Sequence, residues 1–160
     1  MNKPTPLEAG ATAPDFAYRD AAGTELHTSG LRGRTYVVYF YPKDDTPGCT
    51  KQACGLRDQW TDFSDQNISV IGVSGDSEAS HDKFRKKHSL NFPLASDPEL
   101  TTANGFGVYG EKKFMGKTYE GIYRMTFIVG PEGTILKTYP KVKPEEHANQ
   151  ILSDLKELPA

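Results

Sequence analysis

The stretch of residues 36–56 restricts most strongly how this chain can fold. Residues 36–41 form an unbroken run of aromatic and β-branched side chains, which is typical of a strand covered on both faces. Pro42 has no N–H group to donate to a strand ladder, so the strand is expected to stop there. Thr46 and Pro47 then indicate a helix start, with Thr46 at the N-cap and Pro47 at the first helical position. A buried strand, a tight loop and a helix are therefore expected in immediate succession.

Both cysteines of the chain, Cys49 and Cys54, fall within that predicted helix. Cys49 lies in the first turn, where the backbone N–H groups have no intrahelical partners and the helix dipole favours negative charge. We therefore expect the Cys49 thiol to be substantially ionised near neutral pH. Gly48 has no side chain, so another molecule can approach the backbone closely beside Cys49.

The spacing of the two cysteines conflicts with a disulfide in a regular helix. Ideal geometry places the Cα atoms of Cys49 and Cys54 about 8.7 Å apart, whereas a disulfide requires them to lie within about 7 Å. Either the two thiols do not form a disulfide, or the helix must unwind locally to allow it. Gly55 lies where such unwinding would begin, because glycine is a poor helix former.

Two overlapping motifs resemble the active-site signature of the peroxiredoxins of the Q type, thiol peroxidases that are also called bacterioferritin comigratory proteins. They read Pro42-x-x-x-Thr46-x-x-Cys49 and Thr46-Pro47-Gly48-Cys49-Thr50-x-x-Ala53-Cys54. The likeness extends from the Ala-Pro-Asp-Phe sequence at residues 13–16 to the final predicted helix. Gln52 departs from it, since an acidic residue is expected there in that family, and this departure concerns local charge only.

The resemblance implies roles for the two cysteines and for an arginine distant in sequence. Cys49 is implied as the peroxidatic thiolate and Cys54 as the resolving thiol; helical periodicity alone would equally allow Cys54 to be a small core residue. The motif Arg124-x-Thr126-Phe127 resembles the family's distant active-site arginine, which assists the thiolate and the peroxide. Arginine suits this task because its charge is permanent and its donors lie in a fixed plane.

The resemblance also assigns residues of the loop and the helix start to the site. Thr46 is expected to orient its hydroxyl towards the thiolate or the peroxide, and to cap the helix by accepting a hydrogen bond from the Cys49 N–H. Pro42 is expected to shield the thiolate from water as well as to end the strand. Thr46, Gly48, Cys49 and Arg124 form the implied substrate-binding set.

The implied activity is a cofactor-free reduction of hydrogen peroxide and organic hydroperoxides. Cys49 would become a sulfenic acid and then form an intrachain disulfide with Cys54, which thioredoxin or glutaredoxin would reduce. One alternative is a thioredoxin-like disulfide oxidoreductase, but its dithiol is normally Cys-x-x-Cys, and here four residues intervene. Another is a non-catalytic domain that binds a metal or a partner; two cysteines without a nearby histidine argue against a closed zinc site.

Composition limits the remaining functional classes. A chain of 160 residues is expected to form one thioredoxin-like peroxiredoxin domain, with residues 1–13 as an extended arm. The net charge of −2 gives no indication of a nucleic-acid partner, and no apolar run approaches the length of a membrane span. The N-terminal residues lack the apolar segment of a secretory signal, and two cysteines suit a reducing compartment such as the cytoplasm. We expect a monomer, because resolution by Cys54 needs no second chain.

The order of the predicted elements is hairpin, β, α, β, α, β-hairpin, α. This order indicates an α/β fold with a mixed central sheet, helices on both faces and an N-terminal β-hairpin, and the resemblance implies a thioredoxin-like arrangement. The predicted elements are a hairpin at 16–28, a helix from 47 through Trp60 and Phe63, a strand at 68–74, a helix at 77–88, a short strand at best at 92–94, a short helix at 98–105, an ordered surface loop at 107–121, paired strands at 124–129 and 134–139, and a final helix from Pro144 with Ile151, Leu152, Leu155 and Leu158 on one face. The four histidines, expected at the surface, are His27, His81, His88 and His147.

Overall fold

The computed structural model describes residues 4–20 and 23–157. Along the chain these residues form β1 (Ala17–Arg19), β2 (Glu25–His27), a 3-10 helix (Thr28–Leu31), β3 (Tyr36–Phe40), α1 (Pro47–Asp58), α2 (Trp60–Asp65), β4 (Ser69–Ser74), α3 (Glu78–His88), β5 (Leu94–Ser96), α4 (Thr101–Phe106), β6 (Tyr109–Phe114), β7 (Lys117–Ile122), β8 (Met125–Val129), β9 (Ile135–Tyr139) and α5 (His147–Leu155).

The centre of the fold is a mixed sheet of five strands in the order β5-β4-β3-β8-β9. The strands β3, β4 and β5 are parallel, whereas β8 is antiparallel to both of its neighbours, β3 and β9. All five residues of β3 and all five of β8 are buried. The predicted covered strand and the predicted pairing of the last two strands are thereby confirmed.

Alternate residues of β3 face two separate hydrophobic clusters, one on each side of the sheet. Val38 and Phe40 belong to the cluster that includes Phe106 of α4, and the N-terminal hairpin covers this side. Val37 and Tyr39 belong to the other cluster, which α1, α2, α3 and α5 cover with Leu56, Phe63, Phe84 and Ile151. The mixed sheet with helices on both faces is therefore confirmed, as is the N-terminal hairpin formed by β1 and β2. The turn residues Ala21 and Ala22 of that hairpin, and Leu158 of the final helix, lie outside the described residues.

The glycine-rich stretch 107–121 is a β-hairpin, so the prediction of a surface loop is wrong. Strands β6 and β7 pair antiparallel from Tyr109–Ile122 to Phe114–Lys117. Met115 and Gly116 form the turn, both with positive φ, and only glycine adopts that conformation without strain. The glycines therefore do not mark an irregular loop, since strand pairing outweighs the weak strand preference of this sequence.

Several boundaries also differ from the prediction. The helix after Cys49 is interrupted at Gln59, which ends α1 and precedes α2. Strand β5 begins after Pro93 rather than around it, and the proline carbonyl accepts a hydrogen bond from the Gly72 N–H at 3.1 Å. Helix α4 begins at Thr101, three residues later than Pro98. The helix predicted to begin at Ser77 is α3, with Ser77 as its N-cap and the Ser77 side chain accepting a hydrogen bond from the Ser80 N–H.

Two of the four histidines are buried, which contradicts the expectation that all are at the surface. His81 and His147 are each 0% exposed. The Nδ1 atom of His81 lies 2.7 Å from a carboxylate oxygen of Asp44, and its Nε2 lies 3.0 Å from the carbonyl oxygen of Ala95. The buried ring of His81 is therefore held between a carboxylate and a backbone carbonyl, which are both hydrogen-bond acceptors.

His147 begins α5 and is held in the core by the central sheet. Its Nε2 atom lies 2.6 Å from Thr126 Oγ1 on β8, and Tyr139 packs edge-on against its ring. Burial lowers the pKa of His147 from 6.5 to about 4, so the ring is neutral near neutral pH. Both histidines are buried because polar partners distant in sequence, Asp44 and Thr126, receive them inside the fold, and local sequence patterns do not reveal such partners.

The described N-terminal residues are joined to the rest of the fold by backbone hydrogen bonds. Residues 4–13 have no regular helix or strand, but the Leu7 N–H donates to the Phe106 carbonyl at 3.1 Å and Thr12 forms an isolated bridge with Thr134. Within residues 4–20 and 23–157, none of the helices combines the length and the apolar character that crossing a bilayer requires.

We expect His147 to make the stability of the protein depend on pH below neutrality. Its pKa is 6.5 when unfolded and about 4 when folded, so in that interval the unfolded chain binds a proton that the native state does not. The stabilisation is complete above pH about 6.5 and is lost as pH falls towards about 4, amounting to a few kcal/mol. Urea unfolding across this interval should show a smaller loss for His147→Gln than for the wild type. Equal losses in the two proteins would contradict the assignment.

Candidate active site

Helix α1, which carries both cysteines, begins as the sequence predicts. Thr46 is the N-cap of α1 with extended backbone angles, φ −95° and ψ 155°, and Pro47 occupies the first helical position. Cys49 follows in the first turn and is only 2% exposed. Cys54 lies further along the same continuous helix and is partly exposed, and both thiols are free. The structure therefore contains the intact helix in which the two sulfurs are not bonded.

Strand pairing brings Arg124 to the start of this helix. In the β3–β8 register Phe40 lies opposite Met125, so Arg124 lies beside the end of β3, where the chain turns towards α1. The Nη2 atom of Arg124 donates a hydrogen bond to Cys49 Sγ at 3.2 Å, across 75 residues of sequence. A permanent cation in contact with the sulfur stabilises a thiolate relative to a thiol. The two residues that the sequence assigned to the site are thus brought together.

The second arm of the Arg124 guanidinium contacts Gln52. The Nη1 atom donates to Gln52 Oε1 at 2.7 Å. Gln52 is 1% exposed, and its Nε2 atom is buried with no hydrogen-bond partner among the described residues. The sequence marked this position only as a change of local charge and missed its contact with Arg124. Its helical spacing of three residues from Cys49 was the available signal, since residues three apart share a helix face.

Gly48 leaves the space that Arg124 occupies. A Cβ atom placed on Gly48 would lie 3.0 Å from Arg124 Nη2 and 3.8 Å from Pro144 Cγ. The first of these distances is shorter than ordinary van der Waals contact, so a side chain here would press directly on the nitrogen that contacts Cys49. The absence of a side chain at Gly48 therefore favours the close approach of Arg124.

The side chain of Thr46 makes a different hydrogen bond from the one expected. The hydroxyl of Thr46 donates to the Lys43 carbonyl at 2.9 Å, and its side chain makes no capping hydrogen bond, so the expected acceptance from the Cys49 N–H is not present. The Thr46 carbonyl accepts from the Thr50 N–H at 2.8 Å. Pro42 is exposed directly after β3. Their roles towards the peroxide and the thiolate remain predictions.

A buried network holds the loop that precedes α1. The Asp44 carboxylate accepts hydrogen bonds from Tyr41, at 2.6 Å, and from Ser80, at 2.8 Å, in addition to its 2.7 Å contact with His81 Nδ1. Burial alone would raise the pKa of Asp44, but the hydrogen bonds from His81 and Tyr41 outweigh it and hold this pKa below its usual value. The Asp44 N–H donates to Asp76 Oδ2 at 2.7 Å. The loop is therefore tied to α3 and to the end of β4.

The next loop residue adds an exposed connection to the same helix. Asp45 has a positive φ of 58° and lies 2.7 Å from Lys87 Nζ and 3.2 Å from His88 Nε2. Hydrogen bonds from these two side chains lower the pKa of Asp45. The sequence gave no indication of these contacts, because α3 lies more than thirty residues further along the chain.

The β6–β7 hairpin carries a further cation in the neighbourhood of the site. Lys112 is half-buried, its Nζ donates to the Ile122 carbonyl, and it lies 5.1 Å from the centre of the Tyr123 ring. Burial, and then the charge of Arg124, lower the pKa of Lys112.

For metal binding, the described part of the chain contains no group of three or more histidine, cysteine and acidic side chains placed to hold an ion.

Comparison with known proteins identifies the family. Residues 9–138 match the AhpC/TSA family. This chain belongs to the AhpC/TSA family. Among its relatives, Peroxiredoxin Bcp of Escherichia coli K12 is 42% identical over 152 residues, which cover 95% of this chain and 97% of the relative. A putative peroxiredoxin bcp of Coxiella burnetii is also 42% identical, over 93% of this chain and 99% of the relative.

Solved structures of peroxiredoxins share the fold. The bacterioferritin comigratory protein of Xanthomonas campestris, studied for its alkyl peroxide reduction activity, superposes with a TM-score of 0.84 at 35% identity and covers 97% of this chain and 98% of its own. The peroxidoxin BcpB of Mycobacterium tuberculosis gives a TM-score of 0.82 at 31% identity, over 96% and 99%. The resemblance to Q-type peroxiredoxins and the thioredoxin-like fold are confirmed. The protein is a thiol-dependent peroxidase.

We expect Gly48→Ala to slow the reaction of this peroxiredoxin with hydrogen peroxide by about tenfold, since the added methyl group displaces the Arg124 nitrogen and weakens a charge-assisted contact. Stopped-flow peroxide consumption measures the effect. Gly55→Ala is the matched control, because a Cβ there meets no atom within 4 Å. Equal rates for Gly48→Ala and Gly55→Ala would show that the close approach of Arg124 does not matter.

Proposed function

We propose that Cys49 is the peroxidatic residue and that it attacks the peroxide as a thiolate. The observation that carries this proposal is the 3.2 Å contact between Arg124 Nη2 and Cys49 Sγ at the first turn of α1. In the reaction, the sulfur bonds to one peroxide oxygen while the O–O bond breaks. The departing oxygen takes up a proton and leaves as water or an alcohol, and Cys49 becomes a sulfenic acid. Arg124 and the unpaired N–H groups of the first turn stabilise the charge that develops.

Cys54 is the proposed resolving residue. Its thiol attacks the sulfenic acid of Cys49, a disulfide forms between the two sulfurs, and the oxygen leaves as water. Cys54 lies five positions after Cys49 in α1, so this step requires the helix to unwind between them. The partial exposure of Cys54, against the burial of Cys49, is consistent with Cys54 being the cysteine that moves.

The remaining site residues bind and orient the peroxide. We propose that Thr46 directs its hydroxyl towards the peroxide, that Gly48 lets the substrate approach the backbone, and that Pro42 limits access of water to the thiolate. Substrates are hydrogen peroxide and organic hydroperoxides. Thiol-based reduction then returns the disulfide to two thiols, and we propose thioredoxin or glutaredoxin as the donor.

We further propose that the protein acts as a monomer in the cytoplasm and folds as one domain with residues 1–13 as an extended arm. The hydrogen bond from Leu7 to Phe106 and the bridge between Thr12 and Thr134 support this placement of the arm. An intrachain disulfide between Cys49 and Cys54 supports the monomer, because a single chain completes the cycle.

Substitution of each cysteine separates the two proposed steps. We expect Cys49→Ser to consume no peroxide, because serine supplies no thiolate, and Cys54→Ser to complete one attack and then stall unless an external thiol is added. Stopped-flow peroxide consumption measures both. After one equivalent of peroxide, mass spectrometry of the wild type without reductant should show the loss of two hydrogens in a peptide that joins Cys49 to Cys54. Sustained thioredoxin-driven turnover by Cys54→Ser would reject the resolving role.

Arg124 has its own test. Lysine retains the charge but cannot reach Cys49 and Gln52 together, since it lacks the planar fork. We expect Arg124→Lys to react with peroxide roughly tenfold to a hundredfold more slowly, as when a single stabilising donor is removed from a site. Arg34→Lys is a suitable control, since it makes the same substitution just before β3 and away from Cys49. Wild-type rates in Arg124→Lys would remove Arg124 from the mechanism.

A further inference from the structure

Gln52 is a buried polar residue that the proposed reaction steps do not use. It lies three residues after Cys49, on the inward face of α1. The guanidinium of Arg124 donates one arm to Gln52 Oε1 at 2.7 Å and the other to Cys49 Sγ at 3.2 Å. Because the guanidinium is planar and rigid, it connects two positions of the helix to the end of the central sheet at the same time.

The contact with Gln52 belongs to the folded helix alone. Gln52 lies between the two cysteines, within the segment that must leave helical geometry before Cys54 can reach Cys49. Unwinding of this segment moves the Gln52 side chain away from Arg124. The contact between Arg124 and Cys49 does not require the segment to stay helical, since Cys49 precedes it. The Gln52–Arg124 hydrogen bond therefore stabilises the state that attacks peroxide and is absent from the state that forms the disulfide.

Apart from Ala53, which is buried in the core, the segment around Cys54 has few tertiary contacts that oppose unwinding. Cys54 is only partly buried, and Gly55 has no neighbour within 4 Å of the position of a Cβ atom. Glycine also disfavours the helix relative to other residues. Burial of the unpaired Gln52 Nε2 costs free energy, and the hydrogen bond to a charged partner at the other end of the same amide offsets it. Within the segment between the two cysteines, Gln52 is thus the residue that connects the helix to the central sheet through a polar contact.

We infer that Gln52 is a positioning residue that holds α1 in its folded form through Arg124, and that it thereby sets the rate at which Cys54 reaches the oxidised Cys49. This inference rests on the proposed function of the two cysteines. A stronger attachment prolongs the life of the sulfenic acid. A second molecule of peroxide then has more time to transfer an oxygen to that sulfur, which yields a sulfinic acid and water and ends the cycle.

Two substitutions change the attachment in opposite directions without changing the length of the side chain. Gln52→Met removes the acceptor and retains a straight apolar chain that favours the helix. Gln52→Glu replaces the unpaired amide donor with a carboxylate that pairs with the guanidinium. We expect disulfide formation after peroxide attack to be about tenfold faster in Gln52→Met and about tenfold slower in Gln52→Glu, as a hydrogen bond to a charged group is lost or strengthened. The control is Gln66→Met, an exposed position at the end of α2.

Rapid-quench mass spectrometry measures the lifetime of the sulfenic acid and, at excess peroxide, the fraction of sulfinic acid. That fraction should rise in Gln52→Glu and fall in Gln52→Met, whereas Gln66→Met should match the wild type. Hydrogen exchange of the reduced proteins gives an independent measurement, with faster exchange within α1 in Gln52→Met and slower exchange in Gln52→Glu. If one variant fails to fold, the other decides the question.

Equal hydrogen exchange within α1 and equal rates of disulfide formation in the wild type, Gln52→Met and Gln52→Glu would overturn the inference. The roles of the two cysteines would be unaffected by that result. Failure of wild-type Cys49 to form a sulfenic acid is a different result, since it would overturn the proposed function and the inference with it. A merely structural role for Gln52 would lower stability in both variants, and it would not shift the disulfide rate and the sulfinic fraction in opposite directions.

Discussion

The pairing of β3 with β8 is the interaction on which the site depends. Its register, from Tyr36 opposite Val129 to Phe40 opposite Met125, leaves Arg124 beside the end of β3. Both strands are buried throughout. A slip of the pairing by one residue would move every side chain of β8 to the opposite face of the sheet, which would disrupt the packing on both sides. The hydrophobic effect on two sides of one sheet therefore fixes where a charged side chain meets the thiol of a distant helix.

The loop before α1 and the part of α1 after Cys49 are held in different ways. Upstream of α1, the loop is fixed by the Asp44–His81 pair, which is buried and surrounded by hydrogen-bond donors. Removing one partner from such a pair costs free energy because the other partner keeps buried polar atoms without a hydrogen bond, so this loop resists movement. Downstream of Cys49, the polar attachment rests on the hydrogen bond between Arg124 and Gln52. A firmly held loop followed by a helix with fewer polar attachments suits the proposed mechanism, in which Cys49 first attacks in place and Cys54 then approaches it.

Local sequence rules predicted the elements whose determinants are local. Each of three predicted features depends on residues only a few positions apart: the covered strand, the helix start at Thr46-Pro47 and the helix start at Ser77. The β6–β7 hairpin was missed, because its strands carry glycine, lysine and tyrosine in no clear alternation and their pairing with each other decides the structure. His81 and His147 were placed at the surface because a histidine in a polar segment has no local sign of the buried carboxylate or hydroxyl that receives it.

The sequence by itself determined where the two thiols lie, since the helix start and the spacing of the cysteines place one thiol in the first turn and a second thiol out of reach on an intact helix. The contact between Arg124 and Cys49 followed only from resemblance, and tertiary structure decided its geometry. Only the tertiary structure revealed the contact of Gln52 with Arg124 and the Asp44–His81 pair. Contacts between side chains 37 and 75 positions apart depend on strand register and helix packing, which are set by burial of the whole sheet and by no single stretch of residues.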